Sequence, residues 1–161
     1  MIEVFAVRIR TMSSVKRITL RPLESIQGGI ARFYTPQSCT ETMLVRIPAG
    51  TSDDLFVHRN QTDRLLVARG NFVLVILSDR RYRYIPVSEH KPQVVTIPPG
   101  VPHGAIQLDN RPCFVVNAAI RHDPALDRDY RPMKPPFPYD LNAAREALER
   151  LAETDTVPLT I

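Results

Sequence analysis

Ile97-Pro98-Pro99-Gly100-Val101-Pro102-His103 is the stretch on which the reading of the fold turns. Its prolines carry no backbone N–H, so the segment cannot continue a β-ladder. Short apolar runs flank it, at residues 94–97 before and 105–108 after. The stretch therefore reads as a stiff turn between two strands. His103 closes the turn, and Gln107 lies four residues further on. In a strand, that even spacing puts both side chains on one face.

The same pattern repeats outward in both directions. Apolar runs rich in Val and Ile occur at residues 2–9, 15–20, 30–34, 43–47, 55–57, 64–69, 72–77, 83–87 and 114–120. They are bounded by Pro, Gly and polar residues and recur about every ten residues with no helical period between them, which predicts an antiparallel sandwich or barrel. Arg69-Gly70-Asn71 reads as a tight hairpin turn, because glycine accepts the positive φ such turns need. Arg80-Arg81 reads as a solvated hairpin tip.

After residue 131 the character changes. Pro132-Met133-Lys134-Pro135-Pro136-Phe137-Pro138 is an extended connector. Asp140 is a good N-cap for a helix reaching about Glu153. Leu141, Ala144, Leu148 and Leu151 share one face of it, and Glu146 and Arg150 pair at i, i+4 on another. The expected organisation is one β-domain over residues 1–131, followed by the connector and helix over 132–161, packed on that domain or on a partner subunit.

Composition narrows the class. The 161 residues suit one domain, and 43% hydrophobic with 24% charged residues is an ordinary globular balance. The net charge of +4 comes mainly from arginine and can favour an anionic ligand or simply solubility. The arginines are scattered apart from Arg80-Arg81-Tyr82-Arg83, so no nucleic-acid partner is expected. No apolar run approaches a membrane span, and Met1-Ile2-Glu3-Val4-Phe5 does not open like a secretory signal. Cys39 and Cys113 have neither metal-type spacing nor a disulfide framework, which suits the cytoplasm.

Two of the four histidines stand in informative contexts. His58 ends the run Leu55-Phe56-Val57, with Asn60 on the same strand face and Asp63 after the next turn. Gly50, His58-x-Asn60, Asp63 and Gly70 resemble the first motif of the cupin superfamily. Pro98-x-Gly100-x-x-His103-x-x-x-Gln107 resembles its second. The step Pro102-His103-Gly104 and the run Leu65-Leu66-Val67-Ala68-Arg69-Gly70 are similar to the dTDP-4-dehydrorhamnose 3,5-epimerases among the sugar-nucleotide cupins. Two positions depart from that family: Leu55 stands where it has an Arg, and Val116 where it has its catalytic Tyr.

The resemblance implies an all-β fold, a single cupin jelly-roll (double-stranded β-helix) barrel with a short C-terminal α-helix. It implies a small-molecule ligand of the nucleotide-linked sugar kind and a homodimer exchanging residues 2–9. The implied chemistry is a metal-independent epimerase or isomerase reaction on a keto sugar, with His58 as general base. Asp63 would orient His58, and His103 or Arg64 would stabilise the enolate oxygen. Asn60, Arg64 and Gln107 would bind substrate, with Tyr34, Tyr130 or Tyr139 as a source of the missing acid. No cofactor is expected, because Asn60 replaces a histidine ligand and an amide oxygen suits transition metals poorly. Two other readings stay open: a non-catalytic cupin that binds a sugar or small acid, and a metal-dependent enzyme using His58, Asp63 and His103.

Overall fold

The computed structural model describes residues 17–123 and 129–155. In chain order the strands are β1 (Thr19–Pro22), β2 (Ser25–Gly28), β3 (Ala31–Tyr34), β4 (Glu41–Ile47), β5 (Thr51–Ser52), β6 (Leu55–Val57) and β7 (Gln61–Arg69). They continue with β8 (Asn71–Ser78), β9 (Arg81–Ser88), β10 (Gln93–Ile97), β11 (His103–Gln107), β12 (Cys113–Arg121) and β13 (Arg131–Met133), and α1 (Leu141–Asp155) follows. The expected strand at residues 2–9, with the exchange assigned to it, lies outside the described residues. No described helix is long and apolar enough to cross a membrane.

Two sheets carry the fold, and every strand pair in them is antiparallel. The first has the order β1-β10-β7-β12-β4. The second has the order β13-β6-β11-β8-β9, with β5 also paired to β11. The hairpin β2-β3 stands apart as a third, two-stranded sheet. The expected barrel is therefore corrected. The chain is all-β with one C-terminal helix, but among the described residues no ladder joins the two large sheets, and their edges are not closed onto each other. Regular strand spacing suits an open pair of sheets as well as a closed barrel, so it cannot separate them.

Strand β8 explains the core. Its run Phe72-Val73-Leu74-Val75-Ile76-Leu77 shows no polar alternation. Phe72, Leu74 and Ile76 pack with Val95, Ile97 and Val115 of the first sheet, which places one face of β8 between the sheets. Val73 and Val75 pack with Leu55, Ile106 and, from α1, Ala144, and Leu148 lies against the same cluster. Both faces are covered, so both parities are apolar.

The helix starts as its N-cap predicts, with the Ala143 N–H donated to Asp140 Oδ1 at 3.0 Å. Asp79 and Arg80, both at positive φ (51° and 59°), make the two-residue turn between β8 and β9. The turn at Gly70 differs from expectation. It joins β7 of the first sheet to β8 of the second, so it is a corner between layers and not a hairpin. Gly70 sits at φ 86°, and an added Cβ would lie 3.3 Å from Cα of Cys113. Strand β13 arises inside the Pro-rich connector, at a sheet edge where Pro132 leaves no central ladder incomplete.

Candidate functional site

Strands β6 and β11 run side by side, with His103 opposite Phe56. The Gly100 N–H donates to the His58 carbonyl at 2.5 Å, which clamps the Pro-rich turn onto the end of β6. The rings of His58 and His103 are thereby held with centroids 5.8 Å apart. Asp63 comes from the other sheet, on β7 and opposite Ile97 of β10. Gly104 lets this end of β11 pack tightly, since a Cβ there would lie 2.9 Å from the Asp54 carbonyl oxygen. The cluster thus bridges the two layers at one end of the space between them.

The geometry is specific. Nε2 of His58 and Nε2 of His103 each lie 3.3 Å from the same atom, Oδ2 of Asp63. Nδ1 of His58 is 2.6 Å from the Asp129 carbonyl oxygen, and Nδ1 of His103 is 2.9 Å from that of Val101. A carbonyl can only accept, so each Nδ1 carries a hydrogen and donates it. In the neutral rings Nε2 then holds a bare lone pair aimed at a carboxylate oxygen. Lone pairs facing one another need a cation between them, a proton or a metal ion. One ligand atom from each residue lies within 4.8 Å of the others. Backbone carbonyls orienting histidine ligands through Nδ1 are typical of metal sites.

The electrostatics agree. Burial pushes the Asp63 carboxyl up, but hydrogen bonds from His103, His58 and Asn117 outweigh it and hold the group well below the usual carboxylate range. Burial lowers His58, yet its hydrogen bond and charge interaction with Asp63, together with Asp129, leave it raised above 6.5. Asp63 is 2% exposed and His103 3%. So deeply buried a carboxylate persists only with donors or a cation around it.

The cluster opens into a cavity of about 740 Å³ between the sheets. Leu65, Phe72, Leu74 and Val115 make its apolar wall, while Glu41 and Arg46 on the edge strand β4 line its outer side. Phe56 packs on His103 at 4.3 Å between centroids, and Tyr130 on Phe56 at 5.2 Å. This volume falls within the range of small-molecule sites.

Of the residues expected here, His58, Asp63 and His103 meet. Asn60, Arg64 and Gln107 are placed elsewhere. Asn60 donates its backbone N–H to the Asp129 carboxylate and its side-chain amide to the Asp123 carbonyl at 2.9 Å, and it does not line the cavity. Arg64, next to Asp63 on β7, points to the opposite face and donates to the Ser38 carbonyl at 2.9 Å. Gln107 ties the β11–β12 turn through the Arg111 carbonyl and the Asp109 N–H. Of the tyrosines, Tyr130 lines the cavity, whereas Tyr139 donates to the Asp53 carbonyl at 2.9 Å.

Gln61, Asn117 and the Asp129 carbonyl belong to the site but were not singled out from sequence. Two of them left a signal. Gln61 shares a strand face with Asp63, and Asn117 is a lone amide within the apolar run of β12, where a buried amide must find partners.

Two expectations are corrected. Asn60 weighed against a metal only while it counted as a ligand. Asp63, the carboxylate of the metal-dependent alternative, comes from the opposite sheet to complete the candidate ligand set, so a site with no cofactor gives way to a plausible metal site of two imidazoles and a carboxylate. The metal-independent reading with His58 as general base falls with it. Nδ1 of His58 donates to the Asp129 carbonyl, and its Nε2 lone pair converges with that of His103 on Oδ2 of Asp63, an arrangement that a bound cation satisfies.

No protein-family model matches the sequence, and no curated protein matches it. Solved structures do. A dTDP sugar isomerase from Desulfovibrio desulfuricans G20 is 16% identical, with a TM-score of 0.61 over 81% of this chain and 94% of that one. A sugar 3,4-ketoisomerase from Thermoanaerobacterium thermosaccharolyticum, in complex with TDP, is 11% identical, with a TM-score of 0.60 over 84% and 98%. A dTDP-4-dehydrorhamnose 3,5-epimerase from Sulfolobus tokodaii is 16% identical, with a TM-score of 0.58 over 74% and 81%. At such identities the likeness is one of fold: this chain shares the fold of these three structures.

Proposed function

We propose that this protein is a metal-dependent cupin-fold enzyme of the sugar isomerase or epimerase type, holding a divalent cation at His58, Asp63 and His103. The observation that carries the reading is the convergence of two Nε2 lone pairs on Oδ2 of Asp63, with both Nδ1 atoms tied to backbone carbonyls. The donor set of two nitrogens and one oxygen suits zinc, iron, manganese or nickel, and three protein ligands leave positions for substrate.

A bound cation would supply Lewis acidity, polarising a substrate carbonyl oxygen. The chain's own residues do the rest. Leu65, Phe72, Leu74 and Val115 keep water from one side of the ligand. Phe56 holds the His103 ring by an edge contact. Arg46 and Glu41 meet the polar end of a ligand at the open β4 side. The fold shared with dTDP-sugar isomerases favours an oxidised, nucleotide-linked sugar as substrate.

Metal analysis of protein purified without chelator or a metal-binding tag, followed by turnover assays on keto-sugar nucleotides with and without added metal, tests this. The expected result is about one metal per chain and activity that chelation removes. Protein that takes up no zinc, iron, manganese or nickel overturns it.

A further inference from the structure

The carboxylate of Asp63 is held at both ends. Oδ2 faces the two histidines, whereas Oδ1 accepts from Nε2 of Gln61 at 2.6 Å and from Nδ2 of Asn117 at 2.8 Å. Gln61 is 8% exposed and Asn117 5%. Asn117 is itself fixed, because its Oδ1 accepts the Arg64 N–H at 3.1 Å. That bond sets which end of the amide is the donor. Gln61 and Asp63 lie on β7 and Asn117 on β12, two adjacent strands of the first sheet.

We infer that Gln61 and Asn117 are positioning residues that make Asp63 a one-oxygen ligand. The inference rests on the metal reading above and adds how the ligand is held. Two N–H donors on Oδ1 occupy its lone pairs and draw off its charge, so Oδ2 alone is offered to a cation. A carboxylate freed from them would rotate and offer both oxygens. It would then take a coordination position otherwise open to substrate, and would be less well preorganised for metal.

The test is Co²⁺ titration of the full-length protein and of the variants Asn117→Leu and Gln61→Met. Each substitution keeps roughly the side-chain volume and removes the donor. Affinity and the visible absorption of bound Co²⁺ are both read, since that absorption weakens as coordination number rises. Thermal unfolding without metal shows whether each variant is folded. The expected result is a loss of about 10–100-fold in affinity per variant, with a weaker Co²⁺ band. A merely structural amide would lower the unfolding temperature and leave the band unchanged. Wild-type protein that binds Co²⁺ alongside folded variants with the same affinity and band overturns this inference alone. Wild-type protein that binds no Co²⁺ overturns the metal reading and this one together. If Asn117→Leu does not fold, Gln61→Met decides by the same two readouts.

Discussion

Nε2 of His103 lies 3.3 Å from Oδ2 of Asp63, although His103 belongs to one sheet and Asp63 to the other. The contact makes the site depend on how the layers stack, and not on either strand alone. It also makes Asp63 the residue on which a bound cation would depend most.

Asp63→Asn retains the volume and removes the charge. It also places an N–H or a neutral oxygen against two imidazole nitrogens. Metal content is expected to fall from about one per chain to near zero, read by elemental analysis of the purified variant. Undiminished metal in Asp63→Asn would remove it from the ligand set.

The pH dependence has a definite sign. His58 lies above 6.5 in the metal-free fold, so a metal must displace a proton from it. Metal affinity is expected to weaken as pH falls through that raised value, by up to about tenfold per pH unit for one displaced proton. In the metal-free protein His58 stabilises the fold below 6.5, and this contribution is lost as pH rises through its higher folded value. Asp63 acts in the opposite sense. Its contribution is present above 3.8 and is lost as pH falls toward its depressed folded value. Metal-free stability from this pair should therefore be greatest in the weakly acidic range, and added Zn²⁺ should move the maximum to higher pH. Urea unfolding across pH, with and without Zn²⁺, measures both.

Gly70→Ala should destabilise by roughly 1–3 kcal/mol. The position has φ 86°, and its new methyl group would press on the Cys113 backbone at 3.3 Å. Both effects act at the corner where the chain crosses between sheets. Chemical denaturation reads the loss, and unchanged stability would show that the corner relaxes freely.

Asp140→Ala should cost about 1 kcal/mol by removing the N-cap of α1. The helix covers the outer face of the second sheet through Ala144 and Leu148, away from the cavity. Thermal stability should fall while Co²⁺ affinity stays the same. A matching drop in affinity would tie the helix to the site.

Much of this could be read from local pattern. Short apolar runs and their Pro, Gly and polar boundaries marked most of the strands, Asp140 marked the helix start, and the Pro-rich turn marked His103. These features depend on neighbours in the chain, so sequence by itself determined an all-β protein with one C-terminal helix and two histidines at strand ends. Tertiary structure decided the rest. Residues 69–71 look the same whether they close a hairpin or turn a corner, and only the partners of β7 and β8, distant in sequence, make Gly70 a crossing between layers. The same partnering left the two sheets open where a barrel was expected. It also decided how Asp63, already grouped with His58 and His103 in the sequence, meets them: it comes from the opposite sheet, while Asn60 turns away, because a ligand set is chosen by which side chains meet across the layers.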